Sequence, residues 1–141
     1  MTIRTILQAK GNQVFTTEPQ ETLSVVVKQL VYHRCGSLLV CQGEELVGII
    51  TERDILRASA AEEYNLETTT VAELMTSDLI TGTLDDSISE TMGLLTERRI
   101  RHLPILDDGK LAGMISIGDV VKAQYAKLNI ENHYLKSYIQ G

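Results

Sequence analysis

The chain has 141 residues, of which 43% are hydrophobic and 23% charged, with a formal net charge of −6. This is the composition of a folded globular protein, not a disordered one. The acidic balance argues against DNA or RNA as main partner, and no run nears the roughly 18 apolar residues of a membrane span.

Taken in chain order, polar and charged residues are scattered through the whole of residues 1–11, which have no apolar stretch of the kind a signal peptide carries. Lys10, next to Gly11, reads as a cation at a helix end. A short extended piece is expected over 14–17. Leu23, Val26, Val27, Leu30 and Val31 then keep helical spacing, although the Val25-Val26-Val27 run favours a strand by propensity. Two strands follow at 37–41 and 46–50, joined by a Gly-containing hairpin turn, and a second helix covers 53–60. Residues 61–69 read as an exposed linker. Thr70-Val71-Ala72-Glu73 is a capping box that opens a short helix. The pattern then recurs: an extended piece at 79–81, a helix capped by Ser87 with Glu90, strands at 102–106 and 111–115, and a helix from Asp119. The segment 125–141, carrying Tyr125, Tyr134 and Tyr138, is too long for the second helix of a repeat and reads as an extended helix or arm against a partner subunit.

Shifting the sequence by 65 residues lays it on itself without a gap. Thr16 falls on Thr81, Arg34 on Arg99, Leu38 on Leu103, Gly48 on Gly113 and Asp54 on Asp119. Repeat one spans 12–59 and repeat two 77–124, with 60–76 between them and 125–141 after them. A unit of about 50 residues buries too little surface to be comfortable alone. The expected class is therefore α/β (α+β): two pseudo-symmetric β-α-β-β-α repeats packed sheet to sheet, with related clefts between them.

The motif Gly-hydrophobic-hydrophobic-Thr/Ser-x-x-Asp occurs as Gly48–Asp54 and Gly113–Asp119, each time where a strand gives way to a helix. One reading is structural, because Thr/Ser-x-x-Asp before an apolar run is itself a capping box. The other is ligand binding. A helix N-terminus favours phosphate, Thr51 or Ser116 can donate to it, and Asp54 or Asp119 can accept from a ribose diol. The cationic run Arg98, Arg99, Arg101 and the adjacent His102 admit the same two readings, a solvated helix end or phosphate ligands. Cys35 and Cys41 form neither a disulfide framework nor a zinc pattern, and His33, His102 and His133 add no metal-ligand spacing. The thiols read as core residues of a cytoplasmic protein.

These motifs, the β-α-β-β-α order and the run from Arg99 through Asp107 resemble a tandem pair of cystathionine-β-synthase (CBS) domains, a Bateman module, over about residues 12–124. The resemblance implies a regulatory module without catalysis that binds an adenosine nucleotide: AMP, ADP, ATP, an NAD-type dinucleotide or S-adenosylmethionine. It implies that Asp54 and Asp119 hold ribose hydroxyls and that Thr51 and Ser116 touch phosphate. Arg101 and His102 stand where basic phosphate ligands are often placed, with Arg99 nearby. Thr16 and Thr81, with the adjoining Ile80, Leu103 and Pro104, would line the adenine pocket. Repeat one departs from the pattern, with Gly36 and Ser37 in place of Arg101 and His102; Arg53 and Arg34 stand near enough in sequence to compensate. The Asp119 site is thus expected to bind more tightly. A homodimer is expected, with Val26, Leu30, Met92 and Leu95 on its apolar face, together with a regulated protein the sequence does not name. No P-loop, GxGxxG or nucleophile–base set is visible. The other readings are a ligand-free dimerisation scaffold and a small enzyme with an unrecognised site.

Overall fold

The computed structural model describes residues 1–140, with the side chains of residues 1–139. It resolves into two units, Gln13–Ile80 and Met1–Asn12 with Thr81–Gly141. Each contains a three-stranded sheet, and six helices complete the mixed α/β architecture. None of the described helices is long and apolar enough to cross a membrane.

In the contiguous unit, β1 (Thr16–Thr17) runs parallel to β2 (Ser37–Gln42), which pairs antiparallel with β3 (Glu45–Thr51). Between β1 and β2 lies α2 (Leu23–His33), so the valine run is helical as its spacing requires. Leu23 and Val26 are fully buried against Leu38, Val40 and Ile50 of the sheet, and burial of that stripe outweighs β propensity. After β3 come α3 (Glu52–Ala60) and α4 (Val71–Leu74). The segment expected as an exposed linker is tied down. Thr69 is buried, Tyr64 and Leu66 pack on the core, and the Leu23 and Ser24 amides donate to the Thr69 and Leu66 carbonyls at 3.0 and 2.8 Å. The reason is backbone economy: the first amides of α2 need acceptors, and this segment supplies them.

The second unit repeats the plan. β4 (Gly82–Thr83) lies parallel to β5 (His102–Asp107), which pairs with β6 (Lys110–Ser116), and α5 (Ile88–Arg98) lies between β4 and β5. Ser87 caps α5 by accepting from the Glu90 amide at 3.0 Å. The first strand begins one residue later than in the other unit. There, the Leu39 amide donates to the Phe15 carbonyl; the residue equivalent to Leu39 is Pro104, which has no N–H to give. The unit ends in α6 (Ile117–Gln140), 24 residues long, and it is completed by α1 (Ile3–Lys10) from the other end of the chain.

α1 and α4 do the same job. α1 itself, and the residues just past α4, lie over the glycine that recurs in each unit: a Cβ on Gly113 would sit 2.9 Å from a Leu7 methyl, and one on Gly48 would sit 2.7 Å from Met75 Sδ and 3.0 Å from the Thr76 carbonyl. Only a residue without a side chain allows that approach. Of the apolar side chains expected on the homodimer face, Val26, Leu30 and Leu95 are buried within the chain and Met92 is half-buried. The large apolar side chains that α2 presents to solvent are Val31 and Tyr32.

Candidate functional site

At the end of β6 the chain enters α6 through a closed capping box. The Ser116 amide donates to Asp119 Oδ2 at 2.8 Å, and the Asp119 amide donates to Ser116 Oγ at 3.1 Å. The capping reading of the motif is therefore realised, and it leaves the Ser116 hydroxyl proton and Asp119 Oδ1 for something else.

A second group converges here, Lys10, which by sequence alone reads as no more than a helix-end cation. Lys10 Nζ donates to Asp119 Oδ2 at 2.7 Å and to the Met114 carbonyl at 3.0 Å. Burial opposes ionisation of Asp119, but the Lys10 ammonium and the two Ser116 bonds outweigh it and hold the carboxyl below its ordinary value. A sequence signal for this lysine existed upstream of the repeats. The 65-residue offset, continued backwards, aligns Thr5 with Thr70, Ile6 with Val71 and Lys10 with Met75. Lys10 thus occupies the place of an apolar residue in the other unit.

His102 opens β5 opposite Ser116. Burial first, then the charges of Lys10 and Arg101, push its imidazole below the usual histidine range, with Asp119 pulling the other way. Arg101 is exposed, and its carbonyl accepts from the Ile117 amide at 2.9 Å. Lys10, Arg101, His102, Ser116 and Asp119 therefore surround the first turn of α6. One paired cation, Lys10, a second and exposed cation, Arg101, whose charge is felt at His102, and a helix N-terminus gather around one carboxylate, and that balance suits an anion with hydroxyl groups beside it.

The other expected residues of this unit are placed less directly. Arg99 is exposed and terminates α5 in the left-handed region (φ 55°, ψ 42°), its amide donating to the Thr96 carbonyl. Thr81 is exposed just before β4, whereas Leu103 and Pro104 are buried in β5, Leu103 completely.

The Asp54 site has the same cap and a different charge. The Thr51 amide and hydroxyl donate to Asp54 Oδ2 at 2.9 and 3.1 Å, and the Asp54 amide returns a bond of 3.3 Å to Thr51 Oγ1. Among the described residues no cation pairs with Asp54. Arg53 is exposed on α3, and Arg34 ends α2 in the left-handed region (φ 54°); neither is brought to the carboxylate. In the place of Arg101 stands Gly36, with the Glu52 carboxylate against it, 3.5 Å from where a Cβ would be. Thr16 lies on β1 at the border of a 290 Å³ pocket whose wall includes Glu18 and Glu21. Ile80 is half-buried at the end of the unit.

No group of His, Cys, Asp and Glu with metal-binding geometry exists among the described residues. Cys35 and Cys41 are free and half-buried, and burial pushes the Cys41 thiol up, away from reactivity.

Comparison with known proteins agrees with this architecture. The family model for the CBS domain matches residues 11–61 and 71–126. A mitochondrial CBS domain-containing protein of Arabidopsis thaliana is 38% identical over 151 residues, covering 99% of this chain and 72% of its own. The crystal structure of a CBS-domain containing protein from Agrobacterium tumefaciens superposes with a TM-score of 0.82 at 32% identity, over 88% of this chain and 99% of that one. A CBS domain pair solved with 5′-methylthioadenosine and S-adenosyl-L-methionine shares the fold, with a TM-score of 0.78 at 24% identity, over 90% of this chain and 98% of that one. With both repeats matched and a relative this similar along nearly the whole of this sequence, the chain belongs to the CBS domain family, as a tandem pair.

Proposed function

We propose that this chain is a regulatory module without chemistry of its own, which binds an adenosine nucleotide at the Asp119 site and works as a homodimer. The observation that carries the reading is the convergence of Lys10 and Ser116 on Asp119 at the start of a long helix, beside a His102 that feels the charges of Lys10, Arg101 and Asp119. The family supports the ligand class: one pair of this fold was solved with two adenosine derivatives. In the proposed complex, phosphate lies on the α6 N-terminus between Arg101, His102 and Lys10, and the ribose diol donates to Asp119 Oδ1. AMP, ADP, ATP and NAD-type ligands all carry both groups. Thr81, Ile80, Leu103 and Pro104 form the base-binding side in this reading, and Arg99 adds charge from the end of α5. The Asp54 site, with Thr16, Thr51 and Arg53, is the weaker one, because a carboxylate takes the place of its phosphate cation. The two unpaired thiols suit a reducing compartment, and we place the protein in the cytoplasm on that ground.

Ligand can regulate only if it binds two states of the module unequally. The Lys10–Asp119 pair offers such a difference, because phosphate competes for the ammonium that otherwise ties α1 to α6. Calorimetry with AMP and adenosine on the wild type, Asp119→Ala and Asp54→Ala tests the proposal. AMP should bind more tightly than adenosine, lose that advantage with salt, and suffer more from Asp119→Ala. Equal binding of AMP and adenosine, or a larger loss for Asp54→Ala, would overturn the phosphate assignment. A ligand-free scaffold is the second reading, favoured by the two caps being already closed; absence of any thermal shift across a nucleotide panel would establish it.

A further inference from the structure

The far half of α6 has no use within its own unit. From Tyr125 to Ile139 every residue of it is exposed, and the exposed side chains include Leu128, Leu135 and Ile139, the last 80% open. Their order is regular. Val121, Tyr125, Leu128, Asn132, Leu135 and Ile139 advance by alternating steps of four and three. That is the 3.5-residue period of a two-stranded coiled-coil seam, with Tyr125, Asn132 and Ile139 at a and Val121, Leu128 and Leu135 at d. A competing row, Ile130, Tyr134 and Tyr138, advances by four each time and so drifts around the helix.

We infer that α6 pairs in parallel and in register with the α6 of a second copy of this chain. Three features select that occupant. Leucines at d suit a dimer, and the single polar a residue, Asn132, meets its own counterpart only when two identical helices run parallel without offset. In that register position g of one helix faces e of the next heptad on the other. Glu131 is at g, Lys136 is at e, and the five-residue separation is the one that places opposite charges across the seam, twice by symmetry. In an antiparallel pair g faces g and e faces e, so glutamate would meet glutamate and lysine would meet lysine. The inference rests on the homodimer reading above and specifies what holds the copies together.

Light scattering and sedimentation of the full chain test it. The wild type should be a dimer. Leu128→Glu with Leu135→Glu should shift it to monomer at micromolar concentration; both side chains are exposed, so the circular dichroism and thermal unfolding of the two units should not change. Glu131→Lys or Lys136→Glu alone should each raise the dimer dissociation constant by about tenfold through like-charge contacts. Mixing those two single variants should restore association, because each then meets the opposite charge. A dimer indifferent to all of these substitutions would overturn the α6 pairing while leaving the homodimer reading intact. A dimer broken by the leucine changes but unmoved by either single charge change would mean an antiparallel or staggered pair, which also overturns it. A monomeric wild type would sink both.

Discussion

Lys10 and His102 set the charge state of the Asp119 pocket before any ligand arrives. Because the Asp119 carboxyl is held below its ordinary value, its contribution to stability is present above the ordinary carboxylate range, about pH 4, and is lost as pH falls through the depressed value. Lys10→Met copies the residue found at the equivalent place, Met75. It should move the acid-unfolding midpoint, followed by circular dichroism, to higher pH, and it should lower AMP affinity several-fold. His102 has the opposite linkage. Its lowered value means that the fold prefers the neutral ring, so protonation costs stability below the folded value, and the cost is relieved as pH rises through about 6.5. A bound phosphate would reverse that preference. AMP should therefore bind with proton uptake and more tightly at pH 6 than at pH 8, whereas adenosine should not. His102→Gln should remove the difference; calorimetry in buffers of different ionisation enthalpy measures the protons directly. Asp119 and Ser116 were legible because a duplicated motif marks them, and His102 only through the resemblance carried by residues 99–107. Lys10 was not, since it lies outside the repeat and reaches its partner 109 residues away in sequence.

Periodicity in the sequence located the main helices and strands of each repeat, because burial of one stripe or one face leaves a pattern of 3.6 or 2. It did not reveal which helix covers which sheet. α1 and α4 are short, and the feature that positions them is the gap left by a missing side chain, at Gly113 and Gly48. Substitution should expose the difference between the two gaps. Gly113→Ala meets Leu7 methyl groups, which can swing aside, and should cost about 1 kcal/mol; Gly48→Ala also meets the Thr76 carbonyl and should cost about 2–3 kcal/mol. Thermal unfolding of the two variants checks the order, and a larger cost for Gly113→Ala would mean that the α1 contact is the more rigid of the two. The linker between the repeats was misread for a related reason. Tyr64, Leu66 and Thr69 are too few and too irregularly spaced to announce a buried segment, and their role appears only once the α2 amides need acceptors.

The repeats are contiguous in sequence but not in how they are built, since the second unit takes its first helix from residues 1–12. Cutting the chain between the repeats should therefore give unequal pieces. Residues 13–80 keep every element of their unit, α4 included, and should retain native-like circular dichroism. Residues 81–141 lose α1 and leave Gly113 uncovered, and they should be unfolded or molten. A permuted fragment in which residues 1–12 are tethered after 141 should recover cooperative unfolding. If 81–141 folds as well alone as it does with residues 1–12 restored, the α1 contact is ornamental. The tandem repeat itself was plain in the sequence, because a constant offset needs no knowledge of contacts. The exchange of the covering helix was hidden, because it links segments that the offset treats as separate.

That exchange imposes a wait during synthesis. Ile3, Ile6 and Leu7, all buried in the finished unit, leave the ribosome early, yet the strand carrying Gly113 and the turn carrying Asp119 are made about a hundred residues later. At roughly 5–20 residues per second the delay is on the order of 5–20 s, far longer than a helix needs to form and fray. For that interval α1 is an amphipathic segment with no sheet to cover, while the middle of the chain is free to close on itself. α1 is thus exposed to capture by holding chaperones for longer than the segments made after it, and slowing translation should lengthen that exposure without touching the stability of the finished fold.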